Sequence, residues 1–203
     1  MYKSVFFEPW KGDNYEKEKN KILIIGHNYP CNESCAVCPD CGNRTIHEKC
    51  IKVGSQAWLK EYLDGEGDVQ QRRTFTNFER SYYNKHDISK EESCTFWHKV
   101  AFYNYVQKAS KSRIGYMNKS DYDMSLNAFY EVLNQLKPNH IIVWGKVYGF
   151  IPIEKTYQKF EIDKIEYIYS TIDKNVKMLK IHHPSMFYSW QKWGHVIECF
   201  LAM

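Results

Sequence analysis

KILIIG, residues 21–26, is a short run of branched apolar residues that stops at a glycine. That is the pattern of a strand buried on both faces of a parallel sheet, where no position alternates to water. HIIVWG, residues 140–145, repeats it. Between them KVAFYNYV, residues 99–106, reads as an aromatic second strand, and residues 165–182 read as two alternating strands, IEYIYST and VKMLKIH, around the turn Asp173-Lys174-Asn175. Helices fill the intervals. Residues 55–63 form the first, DGEGD makes a turn, and TNFERSYY, residues 76–83, opens on Thr76 as N-cap with Glu79 at the capping-box position. Residues 121–136 place Met124, Ala128, Val132 and Leu136 on one stripe that Pro138 ends, and a last helix runs over about residues 190–201. Buried strands separated by helices predict an α/β fold with a mostly parallel sheet covered on both faces, and ligand loops at the carboxyl ends of the strands.

The chain's 203 residues suit one domain, here spanning residues 1–203. A composition 43% hydrophobic and 26% charged, with a high aromatic share of 16%, argues against disorder. A formal net charge of +4 permits an anionic partner without requiring one. No run approaches the roughly 18 apolar residues of a membrane span, and the first twenty residues lack the apolar stretch and cleavage site of a signal peptide. The expectation is a cytoplasmic protein with no membrane partner and a monomeric state.

Five of the seven cysteines lie within residues 31–50, in a polar loop too long for a compact domain unless something organises it. In a reducing compartment such crowding points to a metal more than to disulfides. Cys38-Pro39-Asp40-Cys41-Gly42 has the form of a zinc knuckle, and His47 and Cys50 follow at C-x2-C-x5-H-x2-C spacing, with Cys31 and Cys35 as alternative ligands. Zinc is favoured over an iron–sulfur cluster because a histidine is available and the knuckle is present. Its expected role is structural, pinning the loop beside Asn28. Cys94 and Cys199 stand apart and read as ordinary buried thiols.

Three strand ends carry polar clusters: Gly26-His27-Asn28-Tyr29-Pro30, Phe102-Tyr103-Asn104-Tyr105 and His182-His183-Pro184-Ser185. Their order and spacing resemble the uracil-DNA glycosylase superfamily, whose members carry a G-x-[DNE]-P-like loop after the first strand, an Asn ending a middle strand, and an H-P-S motif near the C-terminus. The resemblance spans roughly residues 21–201. It departs from the family where GHNYP sets the proline one residue later than usual. It implies a three-layer α/β/α sandwich around a short, mostly parallel four-stranded sheet, to which the cysteine spacing adds residues 31–50 as an inserted metal-binding loop. It also implies DNA as partner and hydrolysis of an N-glycosidic bond after the base is flipped out.

Carried over residue by residue, the resemblance implies that Asn28 orients the attacking water and His183 donates to the departing base, whose oxygen gains negative charge. Asn104 matches the base-reading amide, which donates and accepts at once. Phe75 lies where related iron–sulfur glycosylases place the stacking ring just before a helix, and Tyr29 is an alternative wall that would exclude substituents on the base. Ser185 suits a phosphate contact, and Met186 and Phe187 occupy the place of the wedge that fills the duplex. Lys192, Lys108, Lys111 and Arg113 are candidate backbone contacts. The target is uracil or another modified pyrimidine, with base excision as the outcome. Rival readings are a glycosylase acting on bulky modified bases of phage DNA in antiviral defence, a DNA-binding protein without turnover, and a zinc-stabilised interaction module.

Overall fold

The structure, a computed structural model, describes residues 3–30, 54–107, 109–110, 117–151, 154–172, 175–185 and 187–203. The two apolar runs do form strands at the centre of a sheet, β2 (Ile22–Gly26) and β6 (His140–Trp144), both buried throughout. β4 (Ala101–Asn104) pairs parallel to β2 on one side, and β9 (Val176–Ile181) pairs parallel to β6 on the other. The sheet does not stop at this parallel run. β1 (Trp10–Lys11) adds antiparallel to β4, while β8 (Ile165–Ile172) and β7 (Thr156–Ile162) extend the far side antiparallel, giving the order β1-β4-β2-β6-β9-β8-β7. The expected four-stranded, mostly parallel sheet is therefore corrected to a seven-stranded mixed one. β7 escapes a sequence reading because most of TYQKFEI faces solvent and so shows no buried pattern. Its turn to β8, Asp163-Lys164, takes positive φ at both residues (51° and 64°) without the Asn-Gly or Asp-Gly pair that normally announces such a turn. A separate pair, β3 (Tyr29–Pro30) with β5 (Ala109–Ser110), lies beyond the end of β2.

Alternation along β2 divides the core. Leu23 and Ile25 face α4 (Lys119–Leu136), meeting Ala128, Phe129 and Val132. Ile22 and Ile24 face the layer built from α1 (Ser55–Asp64), α2 (Val69–Tyr83), α3 (Lys90–Trp97) and α5 (Trp190–Leu201). Helices thus cover both faces. On α4 the buried stripe is Tyr122, Ser125, Ala128, Phe129, Val132 and Leu136, and Met124 is 67% exposed. A strict spacing of four drifts about 40° per step around a helix, so a stripe drawn that way leaves the core at one end. No described helix is long and apolar enough to cross a membrane. Of the isolated cysteines, Cys94 is half-buried and Cys199 is exposed, so neither is the buried thiol expected.

The second helix begins earlier than the sequence suggests. Asp68 is the N-cap, accepting from the amides of Gln70 and Gln71, and Thr76 lies inside α2. Glu79 therefore cannot serve a capping box. It is fully buried, accepting from Tyr62 Oη at 2.9 Å, Ser93 Oγ at 2.7 Å and Trp97 Nε1 at 2.7 Å, and so ties α1 and α3 to α2. Burial holds its pKa above the usual carboxylate value despite these donors. Glu79→Ala would strand three donors in the core and is expected to destabilise by about 3 kcal/mol or more, with Glu79→Gln milder, measured by urea denaturation.

His140 begins β6 with its side chain 6% exposed, Nδ1 against Asn139 Oδ1 at 2.9 Å and Nε2 without a partner among the described residues. Burial, and then Lys177, push its pKa down to about 4. The unfolded chain, with a histidine value of about 6.5, takes up the proton first, so stability should be lost as pH falls from about 6.5 to 4. His140→Leu is expected to flatten that stretch of a thermal-melt series against pH.

Candidate functional site

The carboxyl ends of β2, β4, β6 and β9 open into a cavity of about 160 Å³. Its floor is Gly26, His27, Asn28, Asn104, Trp144 and His183, and its facing wall comes from Trp58 on α1 and from Gln70, Gln71, Thr74 and Phe75 on α2. The register that aligns the strands decides this floor. Gly26 stands opposite Asn104 in the β2–β4 ladder, so the last residue of one strand and the loop after the other share one edge.

Asn104 is 3% exposed, and its Nδ2 donates to the main-chain oxygen of Asn28 at 3.1 Å. A carbonyl only accepts, which fixes the amide's orientation. Oδ1 then lies over Gly26, 2.0 Å from where a Cβ at that position would stand, so only glycine leaves room for it. Asn28 places Nδ2 in a buried position with no partner among the described residues, a donor whose isolation costs about 1–3 kcal/mol.

His183 follows β9 and sets its ring edge-on to Trp144, centroids 5.9 Å apart. Gly145, at φ +72°, makes the approach possible, since a Cβ there would lie 3.3 Å from His183 Cβ. Desolvation, and then His27, lower the pKa of His183. The residue keeps an exposed outer face, where solvent tempers the effect, yet the direction favours a neutral ring. His27 is held by Tyr122, its Nε2 lying 2.7 Å from the phenol oxygen with the rings stacked at 14°. Burial lowers its pKa as well. Two imidazoles that favour the neutral form thus share the cavity floor.

Phe75 does reach the cavity, from within α2 and not ahead of a helix, and it is 2% exposed with its edge against Trp97 and Phe102. Tyr29 does not wall the cavity. It is fully buried, its hydroxyl 2.6 Å from Ser55 Oγ and accepting from the Asn104 amide at 3.3 Å. The pairing of β3 turns it inward as a brace between the site and the start of α1. Ser185 is half-buried, its amide donating to His183 O at 2.7 Å and its carbonyl accepting from Asn77 on α2. Phe187 is 94% exposed in the left-handed region at φ 59°, a conformation uncommon for a bulky residue. Lys192 is exposed on α5, near the face of Tyr167. Met186, Lys108, Lys111 and Arg113 lie outside the described residues, as do all six metal-ligand candidates, Cys31, Cys35, Cys38, Cys41, His47 and Cys50. Among the described residues, no group of three or more His, Cys, Asp or Glu side chains is disposed to hold a metal.

Sequence reasoning missed His27, Trp58, Gln70, Gln71, Thr74 and Trp144. His27 lies in GHNYP and Trp144 in HIIVWG, and their place at strand ends was the available signal. The α2 residues gave none, because the start of that helix was not recognised. No protein-family model matches the chain, and no curated protein matches it.

Proposed function

We propose that the protein is a monofunctional DNA glycosylase of the uracil-DNA glycosylase type, releasing uracil or another modified pyrimidine by water attack. The observation that carries this reading is the meeting of Asn28, Asn104 and His183, far apart in the chain, on the floor of one cavity. That cavity, of about 160 Å³, is on the scale of the ~150 Å³ pocket known to take a benzene ring. That is the scale of one six-membered ring. With Nδ2 tied to Asn28 by one hydrogen, Asn104 keeps a second N–H and Oδ1 for a base edge that offers a carbonyl beside an imide. A neutral His183 can donate to a carbonyl oxygen of the base that becomes negative as the glycosidic bond breaks, and Asn28 orients the water.

The same reading gives Phe187 the wedge and Ser185 and Lys192 the backbone contacts, with DNA as partner. It also keeps a structural zinc on the residue 31–50 cluster. Tyr29 lies outside the cavity, which favours a variant of the reading in which substituents on the base are tolerated, including modified pyrimidines of phage DNA. The test is a panel of duplex and single-stranded oligonucleotides carrying uracil, thymine mismatches, hydroxymethyl and glucosylated pyrimidines, scored for abasic sites by alkaline cleavage. Release of at least one base is expected. Intact strands throughout, with measurable DNA binding, would leave a binding protein without turnover.

A further inference from the structure

Hydrolysis needs somewhere to put a proton. Water adds its oxygen to the anomeric carbon, the C–N bond breaks with its electron pair going to the base, and one water proton must leave. Asn28 cannot take it, because an amide is not a base near neutrality. Asp68 touches the cavity only from the α2 side, and its Oδ1 is committed to the amides of Gln70 and Gln71. His183 is already assigned as donor to the base. His27 remains.

We propose that His27 is the proton acceptor of the hydrolytic step, with the Tyr122 hydroxyl holding its ring so that Nε2–H donates to the phenol and Nδ1 is left to accept. The inference rests on the glycosylase reading and goes past it, because that reading gives His27 no role. Its support is geometric. His27 lines the cavity, sits next to Asn28, and has one nitrogen fixed at 2.7 Å from Tyr122 Oη while the other has no hydrogen bond among the described residues.

Tyr122 is itself well held. It lies at the start of α4 just after the Asn118–Asp121 capping box, its carbonyl accepts from Tyr105 Oη at 3.1 Å, and its ring stacks on Phe150 at 4.3 Å. Among the described residues the titratable groups facing His27 are this phenol and His183, and burial, then Asp121, keep the phenol protonated by raising its pKa. A neutral His27 is thus ready to accept, and the charge it gains lies in the cavity where the departing base carries the opposite sign.

The experiment compares wild type, His27→Gln and Tyr122→Phe in single-turnover base release between pH 5 and 8, with ¹⁵N NMR of the wild-type imidazoles over the same range. Wild type should lose rate on the acid side as His27 protonates. His27→Gln should be slower by about 100-fold, lack that limb and bind substrate DNA as before, and Tyr122→Phe should keep the limb with a smaller loss. At pH 7 the His27 Nδ1 should carry the shift of an unprotonated nitrogen. Release by His27→Gln within about threefold of wild type, or a proton on Nδ1 at pH 7, would overturn the role while the glycosylase reading stands. A wild type silent on every substrate would overturn that reading, and the role with it.

Discussion

His183→Ala is expected to lower single-turnover base release by about 10²–10³, the usual consequence of removing one donor aimed at developing negative charge. The fold should survive it. His183 lies after β9 with an exposed face and packs its ring edge on Trp144, so truncation removes little buried surface. His183→Gln keeps an N–H at a similar reach and should recover part of the rate, which a purely steric role for the imidazole would not predict. Asn28→Ala should cost as much by a different route, leaving the water unoriented while the base still binds. Substrate affinity should change little in the Asn28 variant, so the loss falls on turnover. Because desolvation and the neighbouring His27 favour the neutral form of His183, the wild-type rate should be flat between about pH 6.5 and 8. Wild-type rates in both Ala variants, with their melting temperatures unchanged, would remove these residues from the chemistry.

The part of this site that sequence could reveal is the part fixed by strand ends. KILIIG and HIIVWG are legible because a strand buried on two faces has only apolar positions, and whatever follows such a strand in an α/β fold projects at the ligand edge. Asn28, Asn104 and His183 stand at strand ends, and the resemblance of those three clusters to the glycosylase motifs is what singled them out. Tyr29 was misjudged for the complementary reason: one residue further on, the chain enters a second small sheet, and that pairing directs its side chain into the core. The α2 wall was missed because VQQRR carries no apolar period, and the Asp68 cap preceding it looked like part of the DGEGD turn. α3 had a readable signal in Ser89-Lys90-Glu91-Glu92, a capping box that the structure forms. The role of Glu79 as an acceptor joining helices could not be read, since its three donors come from two other helices and only the folded chain assembles them.

Gly26→Ala should disable the site through a single methyl group. Gly26 has no need of a left-handed backbone, and what it supplies is space. A Cβ would stand 2.0 Å from Asn104 Oδ1 and 3.3 Å from Phe102 Cζ. An exposed side chain would swing aside, but Asn104 is 3% exposed and its Nδ2 is tied to the Asn28 carbonyl. Relief must therefore break that bond or push β4 away from β2. The expected result is a destabilisation of about 1–3 kcal/mol, typical of overpacking, together with a loss of base release at least as large as that of Asn104→Ala. The cause can be isolated with a double-mutant cycle. In an Asn104→Ala background the clashing oxygen is gone, so adding Gly26→Ala should cost well under half of what it costs in wild type. Activity should stay at the level of Asn104→Ala, because the base-reading amide has gone in both. If Gly26→Ala is equally destabilising in the two backgrounds, the contact with Asn104 is not what demands glycine. The coupling between β2 and the amide on β4 would then have to be sought in the backbone itself.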